Sequence, residues 1–158
     1  MAVLGIDPGI RNIGLALTEG SRIVKTKTAD LHGLSLIQAL DLVREFAGEC
    51  VESCTIERFV AYRDLATSDQ ERLNLLIGSI VGWLYGGDRI EVSLVRAVDW
   101  KTSLSHKYYK EGFRNPSTSF DKKFDLALCK FIFGETPETD HEADAALLSL
   151  YRGPALKL

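Results

Sequence analysis

Cysteine is scarce and odd in number in this sequence. Cys50, Cys54 and Cys129 lie in apolar or helical stretches, which speaks against a disulfide framework and fits reduced, mostly structural thiols. No second cysteine or histidine pair has the spacing of a zinc site. A long hydrophobic run is also missing: the most apolar stretch, Leu75 to Tyr85, is broken by Gly78, Ser79 and Gly82 and is too short to cross roughly 30 Å of hydrocarbon. No charged n-region with a cleavage site precedes the first strand-like run, so no secretory signal is readable and a cytoplasmic (intracellular) location is expected. No repeat or linker divides the 158 residues. With 46% hydrophobic and 26% charged residues, the chain suits one globular domain, 1–158, with a sizeable core.

An excess of positive charge is likewise absent, since the formal net charge is -3. Divided along the chain, that figure hides a contrast. Between Arg96 and Lys130 eight Lys or Arg stand against four acids, about +4 locally. The acidity gathers in Glu135, Glu138, Asp140, Glu142 and Asp144, where bound divalent metal would offset it.

Periodicity places the elements. Residues 2–7, 13–18 and 22–28 are short β-branched or alternating runs separated by Pro8-Gly9 and Glu19-Gly20-Ser21, which predicts an antiparallel meander. Ser35 to Cys50 sets Leu36, Leu40, Val43 and Phe46 at helical spacing. A strand at 54–58 ends in Glu57. Ser68 with Glu71 has the form of a capping box opening a second helix, which Gly86-Gly87 stops. A fifth strand is expected at 90–95, then a polar and aromatic stretch to about 118, then helices near 120–133 and 138–152. This order gives an α/β domain: a mixed five-stranded sheet flanked by helices.

What stands out on that frame is the placement of acids. Asp7 follows Val3, Leu4, Gly5 and Ile6, Glu57 follows Cys54-Thr55-Ile56, and Asp140, His141 and Asp144 open the last helix. A carboxylate at the end of a buried strand is costly unless paired, so a cation is its natural partner. His141 and Asp144, at i and i+3, present both side chains to one place, and Asp140 shares a face with Asp144 at i and i+4.

The segments GIDPGIRNIG at 5–14, TIER at 55–58 and HEAD at 141–144 resemble those of the RuvC family of Holliday junction resolvases, and the likeness extends over essentially the whole chain. That resemblance implies a ribonuclease H-like fold and a crossover junction endodeoxyribonuclease, cutting four-way DNA junctions by paired symmetric nicks. Two Mg²⁺ ions, for which Mn²⁺ can substitute, are implied as cofactors, held roughly 3.5 to 4 Å apart. Asp7 would bridge them, with Glu57 and Asp144 completing the set. The position of His141 carries aspartate or histidine in the family, so a place in the metal cluster is implied. A general-base role for His141 and a substitute-ligand role for Asp140 stay open.

Contacts to nucleic acid are expected from Phe59, Tyr62 and Arg63, beside Glu57, and from Lys101, Lys107 and Lys110, interleaved with Tyr108 and Tyr109. Gly78, Gly82 and Gly86 repeat every four residues in the second helix. They form a smooth strip for packing, and the resemblance implies a homodimer through this helix. Three other readings stand beside the resolvase. One is a less selective ribonuclease H-like nuclease for flaps, forks or structured RNA, similar to the YqgF family. Another is a noncatalytic nucleic-acid binding module. The third, an actin-like ATPase, is disfavoured because that architecture duplicates the fold.

Overall fold

The computed structural model describes residues 2–48, 51–58, 67–87 and 90–157. Strands β1 (Ala2–Pro8), β2 (Asn12–Glu19) and β3 (Arg22–Asp30) form the expected meander, each pair antiparallel. Helix α1 (Leu36–Ala47) leads to β4 (Val51–Glu57), α2 (Thr67–Gly87) to β5 (Glu91–Val95). Strands β4 and β5 join parallel to β1 and to each other, giving the order β3-β2-β1-β4-β5. The mixed five-stranded sheet is therefore present, and a two-residue β6 (Leu156–Lys157) extends it along the outer edge of β5. Helices α3 (Ala97–Lys110), α4 (Lys122–Phe133) and α5 (Asp140–Leu148) complete the chain. No helix among the described residues is long and apolar enough to cross a membrane.

Helix boundaries follow local chemistry. α1 is shorter than expected: Ser35 and Gln38 form a reciprocal capping box, and Gly48 ends the helix at φ 67. Ser68 lies within the described part of α2, which begins at Thr67, rather than ahead of it as an N-cap. The largest departure is α3, a helix where a polar and aromatic stretch was expected. Its buried residues Trp100, Lys101, Leu104 and Tyr108 recur at helical spacing.

Two apolar layers flank the sheet. Leu4, Ile6, Ile13, Leu15 and Leu17 face α1 and α2, packed with Val43, Phe46, Leu73, Ile77 and Ile80. On the other side Ala16 and Val95 meet Trp100, Phe124, Leu128, Ala143 and Ala145–Leu148 of α3, α4 and α5. Helix α5 lies directly on the strands because two sheet residues there lack a side chain. A Cβ built on Gly5 would stand 1.8 Å from the Ala145 carbonyl oxygen, and one on Gly14 would stand 2.1 Å from that of His141. Hydrogen bonds fasten both ends of the helix. The Thr18 hydroxyl donates to Ser149 Oγ (2.7 Å), while the buried Glu142 carboxylate accepts from Thr26 Oγ1 (2.8 Å) and the Thr28 amide (2.9 Å). Gly14→Ala is accordingly expected to destabilise the protein by about 3 kcal/mol, the upper end of the usual overpacking cost. Urea unfolding checks this; an unchanged midpoint would mean that α5 is not seated on Gly14.

Candidate active site

The meander register decides where the last helix meets the first strand. Asp7 and Gly14 are directly paired across β1 and β2, so they share the sheet face on which α5 lies. With α5 resting on Gly14 through His141, the His141 ring arrives beside Asp7, its Nδ1 2.7 Å from Asp7 Oδ2. Glu57 follows Ile56, which pairs with Ile6, so it ends β4 level with Asp7 on the adjacent strand. One turn beyond His141, Asp144 completes the group. Ligand oxygens of Asp7, Glu57 and Asp144 all lie within 4.8 Å of one another.

Neighbouring groups fix these carboxylates. The Trp100 Nε1–H donates to Glu57 Oε2 at 2.9 Å. The Lys101 ammonium reaches both oxygens of Asp144 at 3.2 Å and both of Asp125 at 3.0 and 2.9 Å. Burial, with Asp7 adding to it, pushes the Glu57 carboxyl up to about 7 against the lowering pull of Trp100 and Lys101. Asp144 is raised well above the ordinary carboxylate range by burial first and by Asp125 next. Asp125 is also raised by burial, which outweighs Lys101. The hydrogen bond to Asp7 raises His141 despite its partial burial.

The sign of the pH dependence follows. Each of these groups binds protons more tightly folded than unfolded, so with divalent ions chelated stability falls as pH rises. For Glu57 the window runs from 4.5 to about 7, and the loss across it is roughly 3 kcal/mol. For His141 it opens above 6.5. Urea unfolding in EDTA between pH 5 and 7.5 measures the slope, and Glu57→Gln is expected to remove the Glu57 share. A stability that climbs across this range would contradict the assigned burial.

With the geometry in view, the chain matches RuvC of Thermus thermophilus, solved in complex with a Holliday junction substrate, at TM-score 0.68 and 18% identity, over 95% of this chain and 90% of that one. The chain has the RuvC fold. A second Thermus thermophilus RuvC structure matches at TM-score 0.65 and 19% identity, over 95% of this chain and 92% of that one. The yeast mitochondrial Holliday junction resolvase matches at TM-score 0.53 and 19% identity, over 93% and 75%. No protein-family model matches the sequence and no curated protein matches it.

The remaining candidates fall in different places on the RuvC fold. Asp140 is half-exposed and points to Lys122, whose Nζ is 3.2 Å from Oδ1, rather than into the converging group. Lys101, expected at a nucleic-acid surface, is buried among carboxylates. Lys107 and Lys110 are exposed on α3, Lys107 over the Tyr108 ring at 4.8 Å. Tyr108 itself is buried and Tyr109 is exposed. Phe59, Tyr62 and Arg63 lie outside the described residues. Two groups that sequence reasoning missed belong to the site's surroundings, Trp100 and Asp125. Both sit on the apolar faces of their helices, next to Leu104 and to Phe124 and Leu128, and that position was the available signal.

Proposed function

We propose that this chain is a metal-dependent, structure-selective endodeoxyribonuclease that resolves four-way DNA junctions by paired symmetric nicks. The observation that carries the reading is the convergence within 4.8 Å of Asp7 and Glu57, at the ends of adjacent strands, with Asp144 of α5, in a chain with the fold of RuvC. The donor set fits the implied ions: hard carboxylate oxygens, with Glu57 lifted to about 7 by burial first and by Asp7 next, favour a divalent cation such as Mg²⁺ or Mn²⁺. Asp7, Glu57 and Asp144 are the residues that would hold the cations. When bound, two such ions supply water orientation, phosphate neutralisation and stabilisation of the leaving oxygen.

The chain's own groups do the rest. Trp100 holds Glu57 in place through its indole N–H. Asp7 fixes the His141 ring through Nδ1, which makes His141 a group at the site suited to moving a proton. Lys107 and Lys110, exposed on α3, would serve as phosphate contacts, and Phe59, Tyr62 and Arg63, which follow Glu57 in sequence, remain the proposed junction contacts. That the Thermus thermophilus neighbour was solved with a Holliday junction substrate supports the choice of DNA.

A homodimer through α2 belongs to the same proposal. Gly78, Gly82 and Gly86 are exposed and a Cβ on any of them would meet nothing within 4 Å. At about 3.6 residues per turn they share a face with exposed Leu75 and Tyr85, opposite the buried Leu73, Leu76, Ile77, Ile80 and Leu84. The strip is therefore not spent on packing against the sheet. Two sites related by a two-fold axis can nick two strands of like polarity.

The test is cleavage of a labelled four-way DNA junction beside linear duplex, flap, fork and RNA hairpin, in Mg²⁺ and in Mn²⁺. Paired nicks on the junction are expected from the wild type. Gly82→Arg is expected to shift the protein to monomer in sedimentation and to uncouple the two nicks. Cleavage of flaps, forks or RNA with the junction left uncut would replace the substrate with that of a YqgF-like nuclease.

A further inference from the structure

Lys101, Asp125 and Asp144 come from three different helices, α3, α4 and α5, and meet where little water reaches. Their side chains are 11%, 4% and 17% exposed. The ammonium contacts all four carboxylate oxygens at 2.9 to 3.2 Å. With three N–H bonds it cannot give each oxygen a full hydrogen bond, so the two carboxylates share it. Asp144 belongs to the converging set with Asp7 and Glu57; Asp125 stands outside that set. One acid thus faces both the lysine and the site, while the other meets the lysine and Asp144 from outside the converging set.

We propose that Asp125 is a positioning residue that keeps Lys101 seated when Asp144 turns its oxygens to a divalent cation. The inference rests on reading Asp7, Glu57 and Asp144 as the metal centre. A buried ammonium gives up a carboxylate only at the cost of losing its partner, and a lysine with one partner would compete with the cation for Asp144. The second carboxylate removes that competition. Asp125 also holds the positive charge close to the site, where the phosphate of a bound strand arrives.

The experiment is Mn²⁺ binding to the intact chain, read by electron paramagnetic resonance, for the wild type, Lys101→Met, Asp125→Asn and the double variant. Asp125→Asn is expected to weaken binding about tenfold in the wild-type background but no more than about twofold once Lys101 is methionine, since residues in one ion-pair network couple and independent ones add. Equal losses in both backgrounds would overturn the proposal, because Asp125 would then act on the cation by its own charge. No loss of affinity, with only a lower unfolding midpoint, would overturn it as well. A second measurement needs no folded Asp125 variant. In the ¹⁵N-lysine spectrum of the wild type, the Lys101 ammonium signal, assigned by its loss in Lys101→Met, is expected to shift on addition of Mg²⁺ and stay protected from exchange. An unmoved signal, or one lost to exchange, contradicts a lysine that changes from two partners to one. If the wild type binds no more Mn²⁺ than Asp7→Asn, the metal centre itself fails; binding with a flat cycle sinks the role of Asp125 alone.

Discussion

Asp7→Asn is expected to lower junction cleavage by roughly 10³-fold or more, the scale seen when one member of a catalytic unit is removed. The substitution keeps the size of the side chain and a hydrogen-bonding oxygen toward His141, but takes one charge from the converging group. Asp7 is also one of the groups that raise Glu57. Its neutralisation therefore relieves a repulsion, and the variant is expected to be at least as stable as the wild type to urea in EDTA. Lost activity with retained stability is what a site strained for function predicts. Gel-based single-turnover cleavage and urea unfolding on the same preparation check both halves. Cleavage within about tenfold of the wild type would remove Asp7 from the centre of the proposal.

Lys101→Met acts in the opposite way and chiefly on stability. It leaves Asp125 and Asp144 buried without the cation that both contact. Removing one partner of a buried ion pair typically costs about 3–5 kcal/mol. Urea unfolding in EDTA at pH 7.5 measures the loss, which is expected to shrink toward pH 5 as the two raised carboxyls take up protons. Asp125→Asn placed in the same chain is expected to return part of the stability, since a neutral pair of similar shape leaves less charge unsatisfied. A loss below about 1 kcal/mol, the value of an exposed pair, would mean that the lysine is solvated in solution.

The two variants also mark where sequence reasoning succeeds and where it stops. Asp7, Glu57 and Asp144 were legible because each ends an apolar run or opens a helix, places where an acid must be explained. The meander was legible for a related reason: Pro8-Gly9 and Glu19-Gly20-Ser21 punctuate alternating residues, and turn chemistry is local. Lys101 was misplaced because its neighbours, Lys107, Tyr109 and Lys110, are the residues of a nucleic-acid surface. That impression hid the one-sided repeat of Trp100, Leu104 and Tyr108, and with it helix α3. Asp125 resembles any acid in the first turn of a helix. Its burial appears only once α3 and α4 are packed, and no local pattern carries that. The two-residue β6 depends in the same way on a tertiary event, the return of the chain to the edge of β5.

The contact between Asp7 and His141 spans 134 residues of sequence. Strands β1 and β4 can pair as soon as about the first third of the chain has been synthesised, but Asp144 reaches them only when α5 settles on Gly5 and Gly14. A nascent chain that has emerged past Glu57 but not yet past Asp144 therefore carries two of the three converging carboxylates and lacks the last. The three carboxylates come together only with the docking of α5.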